Sequence, residues 1–581
     1  MAFFNRANLN TLSLLNRCYC KFTTSTVKFK ANKRTTVFSS AFHERNNSQS
    51  EKTSANTKLT AFEVEIAKRR DQACRSILVQ VYSVNSYNDL QNYCIQFGTI
   101  LSMHHYRSNK QRNYILVEFN DEATVKKILS SATFANSDLI VPVKSSVLWF
   151  SKNQFSQKSH NNNKNIIITA ENNNLYPTVK QISNILYHSK SISGQILHLY
   201  DALKLSELET RLRFHTAHHL EEYFSGLFCR MKVLPFGSSI NGFGRKRCDL
   251  DLVLVPDANI NNPTSRLIFH SKSMKFNERY EAKEFMGILA NTMQHFIPGI
   301  ENVRRIFEAR VPIIKFNFEY TELECDLSTT NMSAVYMSEL LNLYGEIDWR
   351  VRPLVLMIRK WAKIQEITSE SPGHWITNFS LSLLVLFYLQ QKNILPSLRA
   401  LRIYATCDDA RHSENGIDCT FLRDVQKLPN EYKYKLNQDD LEHLLFGFFE
   451  YFSTFDFYMK GICIREGVPI RKPSHSALHI VNPLETTLNV SKNVSIFELN
   501  RLTEKAHDAI FTLETSDKSK YTNWGIMNLL KINNVNMANF SQLNVTESPN
   551  VANNSLKNHS HEIPEKIVND DDIQPKKKET V

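Results

Sequence analysis

The chain has 581 residues, 42% of them hydrophobic, and a formal net charge of +12. That length suits about three domains, and the apolar content excludes wholesale disorder. Ten scattered cysteines without a C-x-x-C pair argue against a zinc site or a disulfide framework. The longest strongly apolar run, Leu381 to Leu389, is too short to cross a bilayer, so no membrane insertion is expected.

Residues 1–43 hold no Asp or Glu, but they carry Arg6, Arg17, Lys21, Lys28, Lys30, Lys33 and Arg34 among many Ser and Thr. That is the composition of a mitochondrial transit peptide. Losing its seven cations leaves about +5 of the +12, so whole-chain charge says little about a polyanionic partner. Residues 60–70 read as a short helix. From Ser76 to about Ser145 the pattern is β-α-β-β-α-β. Its strands are Ile77–Val84, Ile100–Tyr106, Tyr114–Phe119 and Leu139–Lys144, and its helices Asn88–Phe97 and Glu122–Ala132. On the third strand Tyr114, Leu116 and Glu118 share one face. One aromatic beside a leucine and a carboxylate is a poor platform for stacking bases, so the expected role of this face is self-association, with RNA binding second. Polar residues 151–165 and a further Asn run read as a linker reaching 195. Helical periodicity follows from Leu197 to Leu227, with His218 and His219 expected on the helix surface.

The chemistry begins at Phe236-Gly-Ser-Ser239. A glycine turn leads to the apolar run Leu250–Val255, which reads as a buried strand. Asp249 and Asp251 alternate with that run and so point the same way. Two carboxylates on one face of a buried strand call for cations, and hard divalent metals take oxygen ligands of this kind. Gly237 permits a tight turn, and its amides with the Ser238 and Ser239 hydroxyls suit phosphate oxygens. Val311–Phe318 and Leu323–Leu327 look like a strand pair that carries a third carboxylate, Asp326. Between the strands, Asn259–Ser273 reads as an exposed loop and Tyr280–Phe296 as a helix.

Residues 336–510 read as mostly helical. Within the helix Asp348–Lys363, Arg359 and Lys363 are four apart and share a face, a placement suited to an anion. Thr377, Asn378 and Phe379 stand at the mouth of the apolar helix that runs to Leu389. The aromatic stripe Leu444–Phe452 reads as core packing. Residues 533–581 are polar and read as a disordered tail.

Gly-Ser, then after ten residues Asp-x-Asp, then a later Asp resembles the signature of the polymerase-beta-like nucleotidyltransferase superfamily. Within it, Arg-Lys-Trp-Ala-Lys363 and the loop Asn482-Pro-Leu-Glu-Thr-Thr-Leu-Asn-Val-Ser-Lys-Asn-Val494 are similar to the non-canonical poly(A) polymerases, above all their mitochondrial branch. The first domain resembles a degraded RNA-recognition motif. The resemblance implies an α+β chain: transit peptide 1–43, RNA-recognition-motif-like domain 72–150, linker 151–195, nucleotidyltransferase palm 196–335, helical central and PAP-associated domain 336–532, and tail 533–581. It implies addition of non-templated adenylates from ATP to RNA 3′ ends in the mitochondrial matrix, by a homodimer joined through the N-terminal domain. Asp249, Asp251 and Asp326 would be catalytic and hold Mg²⁺ or Mn²⁺. Gly237, Ser238, Ser239, Arg359, Lys363, Asn378, Phe379 and Glu485 would contact the nucleotide, Phe379 by stacking on the base. In uridylyltransferase relatives an acidic residue and a histidine read uracil where this chain has Asn482 and Leu488, which favours adenylyl transfer. Uridylyl or relaxed nucleotidyl transfer, and a non-catalytic RNA-binding factor on the same fold, stand as alternatives.

Overall fold

The computed structural model describes residues 59–134, 143–151, 167–169, 176–228, 231–257, 266, 279–329, 331–369, 373–429, 437–473, 475–516 and 523–532. The expected leader, the tail, nearly all of the Asn259–Ser273 loop and most of the strand expected at Leu139–Lys144 lie outside these residues. Among them, no helix is long and apolar enough to cross a membrane.

A capping box between Thr60 and Glu63 starts helix α1 (Ala61–Cys74), satisfying two amides that the first turn leaves open. Strand β1 (Ser76–Val81), helix α2 (Tyr87–Ile95), strands β2 (Ile100–Arg107) and β3 (Asn113–Phe119) and helix α3 (Glu122–Ser131) follow in the expected sequence. β3 lies between β1 and β2, antiparallel to both. The strand expected at Leu139–Lys144 lies mostly outside the described residues, and the fourth strand described comes just after it. It is β4 (Val147–Trp149), and it pairs parallel to β1. A short β5 (Ile167–Thr169) adds itself parallel to β2 at the other edge, giving the order β4-β1-β3-β2-β5.

One face of this sheet packs Ile77, Val79, Ile115, Val117 and Phe119 on its own two helices. The other carries Leu78, Tyr106, Tyr114 and Leu116, and these are buried against Leu208 and Leu212 of helix α6 (Glu207–Leu227). Glu118 is buried beside them and pairs with Arg75 and Arg211. The face expected to serve self-association or RNA is therefore filled from within the chain. Sequence periodicity could not reveal its occupant, because α6 is apolar on two sides. Ala217, Leu220 and Phe224 of the same helix enter the palm core. This double burial also corrects His219, expected on the surface. It is 1% exposed, with Nδ1 3.0 Å from the Ser146 hydroxyl.

The stretch read as linker is folded at its end. Thr178 and Gln181 form a capping box for helix α4 (Val179–Tyr187), and α5 (Ile192–Leu203) follows. Ile182, Leu186, Ile196 and Leu199 join the helical core. The Ser/Thr-x-x-Glu/Gln signal at Thr178 was visible, but the Asn-rich run before it masked the start of a packed helix.

The palm sheet has the order β6-β7-β10-β9-β8, from β6 (Met231–Phe236), β7 (Leu250–Pro256), β8 (Ile300–Ile306), β9 (Ile313–Phe318) and β10 (Leu323–Thr329). Alternation divides its faces. Leu250, Leu252, Ile314, Phe316, Cys325 and Leu327 pack inward with Phe285, Leu289 and Met293 of helix α7 (Arg279–Phe296). The intervening residues face a cleft. Its far wall is helical: α8 (Met332–Ile347), α9 (Val351–Ile364), α10 (Asn378–Gln391), α11 (Leu398–Ile403), α12 (Leu441–Thr454), α13 (Ile496–Glu514) and α14 (Ile526–Leu529), with the two-residue strands β11 (Lys460–Gly461) and β12 (Ile470–Arg471) between α12 and α13. The aromatic stripe of α12 is packing, as expected; Phe449 lies 4.7 Å from Trp361 by ring centroids.

Candidate active site

The cleft between palm and helical wall holds a cavity of about 2130 Å³, more than twice the upper end of ordinary small-molecule sites, about 1,000 Å³. Asp249, Asp251 and Asp326 line it together. β7 and β10 run parallel, with Asp251 opposite Asp326; Asp249 stands just before β7. Strand alternation thus brings the three carboxylates to one face, as the sequence implies.

Their electrostatics are strained. Burial, then the charges of Asp326 and Asp249, push the Asp251 carboxyl up to about 7. The offsetting cation is Lys315 of β9, which the sequence reading passed over. Its Nζ lies 3.2 Å from Asp326, 3.5 Å from Glu324 and 3.7 Å from Asp249. Burial pulls the Lys315 ammonium down, but these carboxylates more than offset it and hold its pKa above the ordinary lysine value. The clue was register: Lys315 is the direct cross-strand partner of Asp326. A second missed residue, buried Arg213 of α6, donates from Nη2 to the backbone carbonyl of Cys248. It thereby fixes the chain immediately before Asp249.

All three donors are hard carboxylates, and the buried Oδ1 of Asp326 has no well-directed hydrogen bond. That chemistry fits a hard divalent cation. Among the described residues no three His, Cys, Asp or Glu side chains are arranged to enclose a metal ion; Asp249 and Asp326 lean on Lys315 instead.

The Gly237 turn has the expected backbone. Its φ is +67°, and a Cβ there would collide with the Asp251 carboxylate, so glycine is required on two counts. Its amide, however, donates to the Ser338 hydroxyl of α8 at 2.7 Å, which docks the turn on the helical wall. Ser238 lines the cavity. Ser239 does not; its side chain is buried and its hydroxyl donates to the Asp249 carbonyl at 3.4 Å. It supports the aspartate loop from behind, where a phosphate contact was expected.

Arg359 and Lys363 of α9 both line the cavity, whereas Lys360 turns away toward the Tyr176 hydroxyl. Arg359 donates to the Phe243 carbonyl at 2.8 Å. Burial pulls its guanidinium down to about 10, still charged at neutral pH. Thr377 caps α10 by accepting from the Ser380 amide. This sets Asn378 and Phe379 at the cavity wall, with one side of Phe379 against the helical core. The Asn482 side-chain oxygen accepts from the Leu484 and Glu485 amides, and Asn489 binds the backbone at Leu478, Ile480 and Ser491. Both shape their loop. Glu485 reaches across the cleft to Arg310 at 2.6 Å, joining the two walls.

The palm, residues 192–346, matches the family model for the central palm domain of mitochondrial-like poly(A) RNA polymerase. Residues 440–496 match the Cid1 family poly A polymerase model. The chain is 41% identical over 471 residues to the mitochondrial poly(A) RNA polymerase of Drosophila melanogaster, covering 78% of this chain and 76% of the relative. It is 34% identical to that of Homo sapiens over 508 residues, covering 83% and 84%. The crystal structure of mtPAP in complex with UTP superposes with a TM-score of 0.73 at 31% identity, over 81% of this chain and 99% of that one. The complex with ATPgammaS gives 0.72 at the same identity and coverage. With relatives at this identity matched along most of its length, the chain belongs to the mitochondrial poly(A) RNA polymerase family.

Proposed function

We infer that the protein is a polynucleotide adenylyltransferase that extends RNA 3′ ends with adenylates from ATP, without a template, and releases pyrophosphate. The observation that carries this is the convergence, on one cleft, of Asp249, Asp251 and Asp326 with the Gly237–Ser238 turn on one wall and Arg359, Lys363 and Phe379 on the other. Divalent cations, Mg²⁺ or Mn²⁺, held by the three aspartates supply hydroxyl activation and charge neutralisation when bound. The chain's own residues orient the reactants. Ser238, Arg359 and Lys363 hold the triphosphate. Phe379 carries the base, and Asn378 and Glu485 border it. Arg213 and Ser239 keep the Asp249 loop in place. By analogy with the family, Asp326 serves chiefly the attacking hydroxyl.

The family places the protein in mitochondria, and the acid-free leader supports import into the matrix. Exposed Tyr82 and Trp149 at one end of the N-terminal sheet, 90% and 68% exposed, support a homodimer formed there, since the sheet face is filled. Relaxed nucleotide choice is the second reading, because the Asn482 oxygen is used within its own loop and is turned to backbone amides. The test is extension of a labelled RNA primer by the purified protein with Mg²⁺ and each nucleotide separately, beside an Asp249→Ala control. A ladder with ATP that the control lacks supports the inference. No extension with any nucleotide, by a folded protein that still binds RNA, overturns it in favour of a binding factor.

A further inference from the structure

The palm sheet carries one direct cross-strand row through the catalytic centre. Asp251 on β7 lies opposite Asp326 on β10. Asp326 lies opposite Lys315 on β9, and Lys315 opposite Arg304 on β8. At the other end Phe236 on β6 faces Asp251. Direct partners share a face, so all five side chains belong to one surface, and all line the cavity. Strands lie roughly 5 Å apart. The row therefore runs from the Gly237 turn that follows Phe236, through the acidic centre, to Lys315 and then to Arg304, about 10 Å beyond Asp326.

The triphosphate turn occupies the β6 end. The second substrate must approach the same aspartates from the β9–β8 end, where the row changes sign from acidic to basic. At the end of the sheet where β9 turns into β10, the cavity wall passes to the N-terminal domain, at Arg107 and Asn109. The hairpin that carries them is tied to the palm. Lys110 pairs with Glu301 at 3.2 Å and Glu319 at 2.9 Å, Arg112 pairs with Glu319 at 2.8 Å, and the Tyr106 hydroxyl donates to the Tyr320 carbonyl at 2.7 Å. The two carboxylates on this side, Glu322 and Glu324, are engaged by the Asn109 amide and by Lys315. Arg304 and Arg107 are exposed, and their side chains make no hydrogen bond or ion pair among the described residues. Arg305, next in sequence, points the other way and donates to Asn291 on α7 at 2.7 Å.

We propose that Lys315, Arg304 and Arg107 form the phosphate track for the RNA primer upstream of its 3′ end. The N-terminal domain thus takes part in primer binding through its hairpin edge, while its sheet face serves only to dock it. This rests on the polymerase reading for the direction of the track.

The test uses the full chain with Arg304→Ala, Arg107→Ala and, as control, Arg305→Ala. Binding of a 5′-labelled oligoadenylate is measured by anisotropy across a salt series, and single-nucleotide extension gives KM for primer and for ATP. Each track variant is expected to weaken primer binding about five- to tenfold and to lower the salt slope by about 0.7, the value for one single-strand phosphate contact. KM for ATP and kcat at saturating primer should hold, and Arg305→Ala should match wild type. The proposal is overturned if primer affinity and slope are unchanged in both track variants, if KM for ATP moves in place of primer affinity, or if Arg305→Ala has an equal effect. A wild-type protein that binds RNA without extending it sinks the polymerase reading, and the anisotropy series still decides whether the cations hold RNA.

Discussion

Asp251→Asn should separate stability from activity. The Asp251 carboxyl moves from 3.8 to about 7 because burial and two neighbouring carboxylates disfavour its charge. At 1.36 kcal/mol per pKa unit this is an upper bound of about 4 kcal/mol against the folded state. The sign follows from proton linkage. Below about pH 4 the group is protonated whether folded or unfolded and contributes nothing. Between pH 4 and 7 the folded chain holds the proton that the unfolded chain releases, and stability falls as pH rises. Above 7 the full cost is present. The asparagine cannot ionise, so without divalent metal the variant should be more stable than wild type at pH 8. An advantage of about 1–3 kcal/mol is reasonable, since Lys315 and local relaxation take up part of the repulsion. The difference should vanish near pH 4. Chelator-treated protein unfolded in urea at several pH values measures it, and Mg²⁺ should narrow the gap by stabilising wild type alone. Primer extension should be lost in the variant throughout. A variant less stable than wild type at pH 8 in chelator would refute the claim that unrelieved charge strains the site.

Three further outcomes follow from the same geometry. Asp326→Ala should cost extension on the order of a thousandfold, the size of several kcal/mol of lost charge stabilisation, with an unchanged circular dichroism spectrum; appreciable residual activity would remove Asp326 from the catalytic set. Gly237→Ala forces a side chain into a left-handed conformation against Asp251, so it should destabilise the chain by about 1–3 kcal/mol and cripple extension, and a wild-type melting curve would show that the turn tolerates a Cβ. Arg310→Glu and Glu485→Arg should each raise KM for ATP, while the double reversal recovers a coupling of about 0.2–1 kcal/mol, as befits an exposed pair; strictly additive KM effects would mean that the cross-cleft contact does not position the nucleotide loop.

The carboxylate set was legible in the sequence because strand alternation fixes it. Once Leu250, Leu252, Cys325 and Leu327 go inward, Asp251 and Asp326 must face the cleft. Arg359 and Lys363 were legible for the corresponding helical reason. What escaped depends on how separate elements meet. Lys315 lies in a strand the sequence marked, but its place beside Asp326 comes from the register of the β9–β10 hairpin. Ser239 looked like its neighbour Ser238, yet Ser238 lines the cavity with its hydroxyl on the Cys248 sulfur, while Ser239 is buried with its hydroxyl on the Asp249 carbonyl. Arg213 and His219 lie on a helix whose two faces are claimed by different sheets. A pattern along one helix shows that it is apolar, not that two domains share it. The same docking hides Tyr114 and Leu116 and removes the sheet face from consideration as a free surface.

The most direct measurement offers wild-type protein an RNA primer with all four ribonucleoside triphosphates at equal concentration and Mg²⁺, and sequences the tails. Homopolymeric adenylate, absent with Asp249→Ala, is the predicted product. Tails of uridylate or mixed composition would contradict adenylyl specificity while keeping the transferase, and primers returned unextended would contradict the polymerase itself.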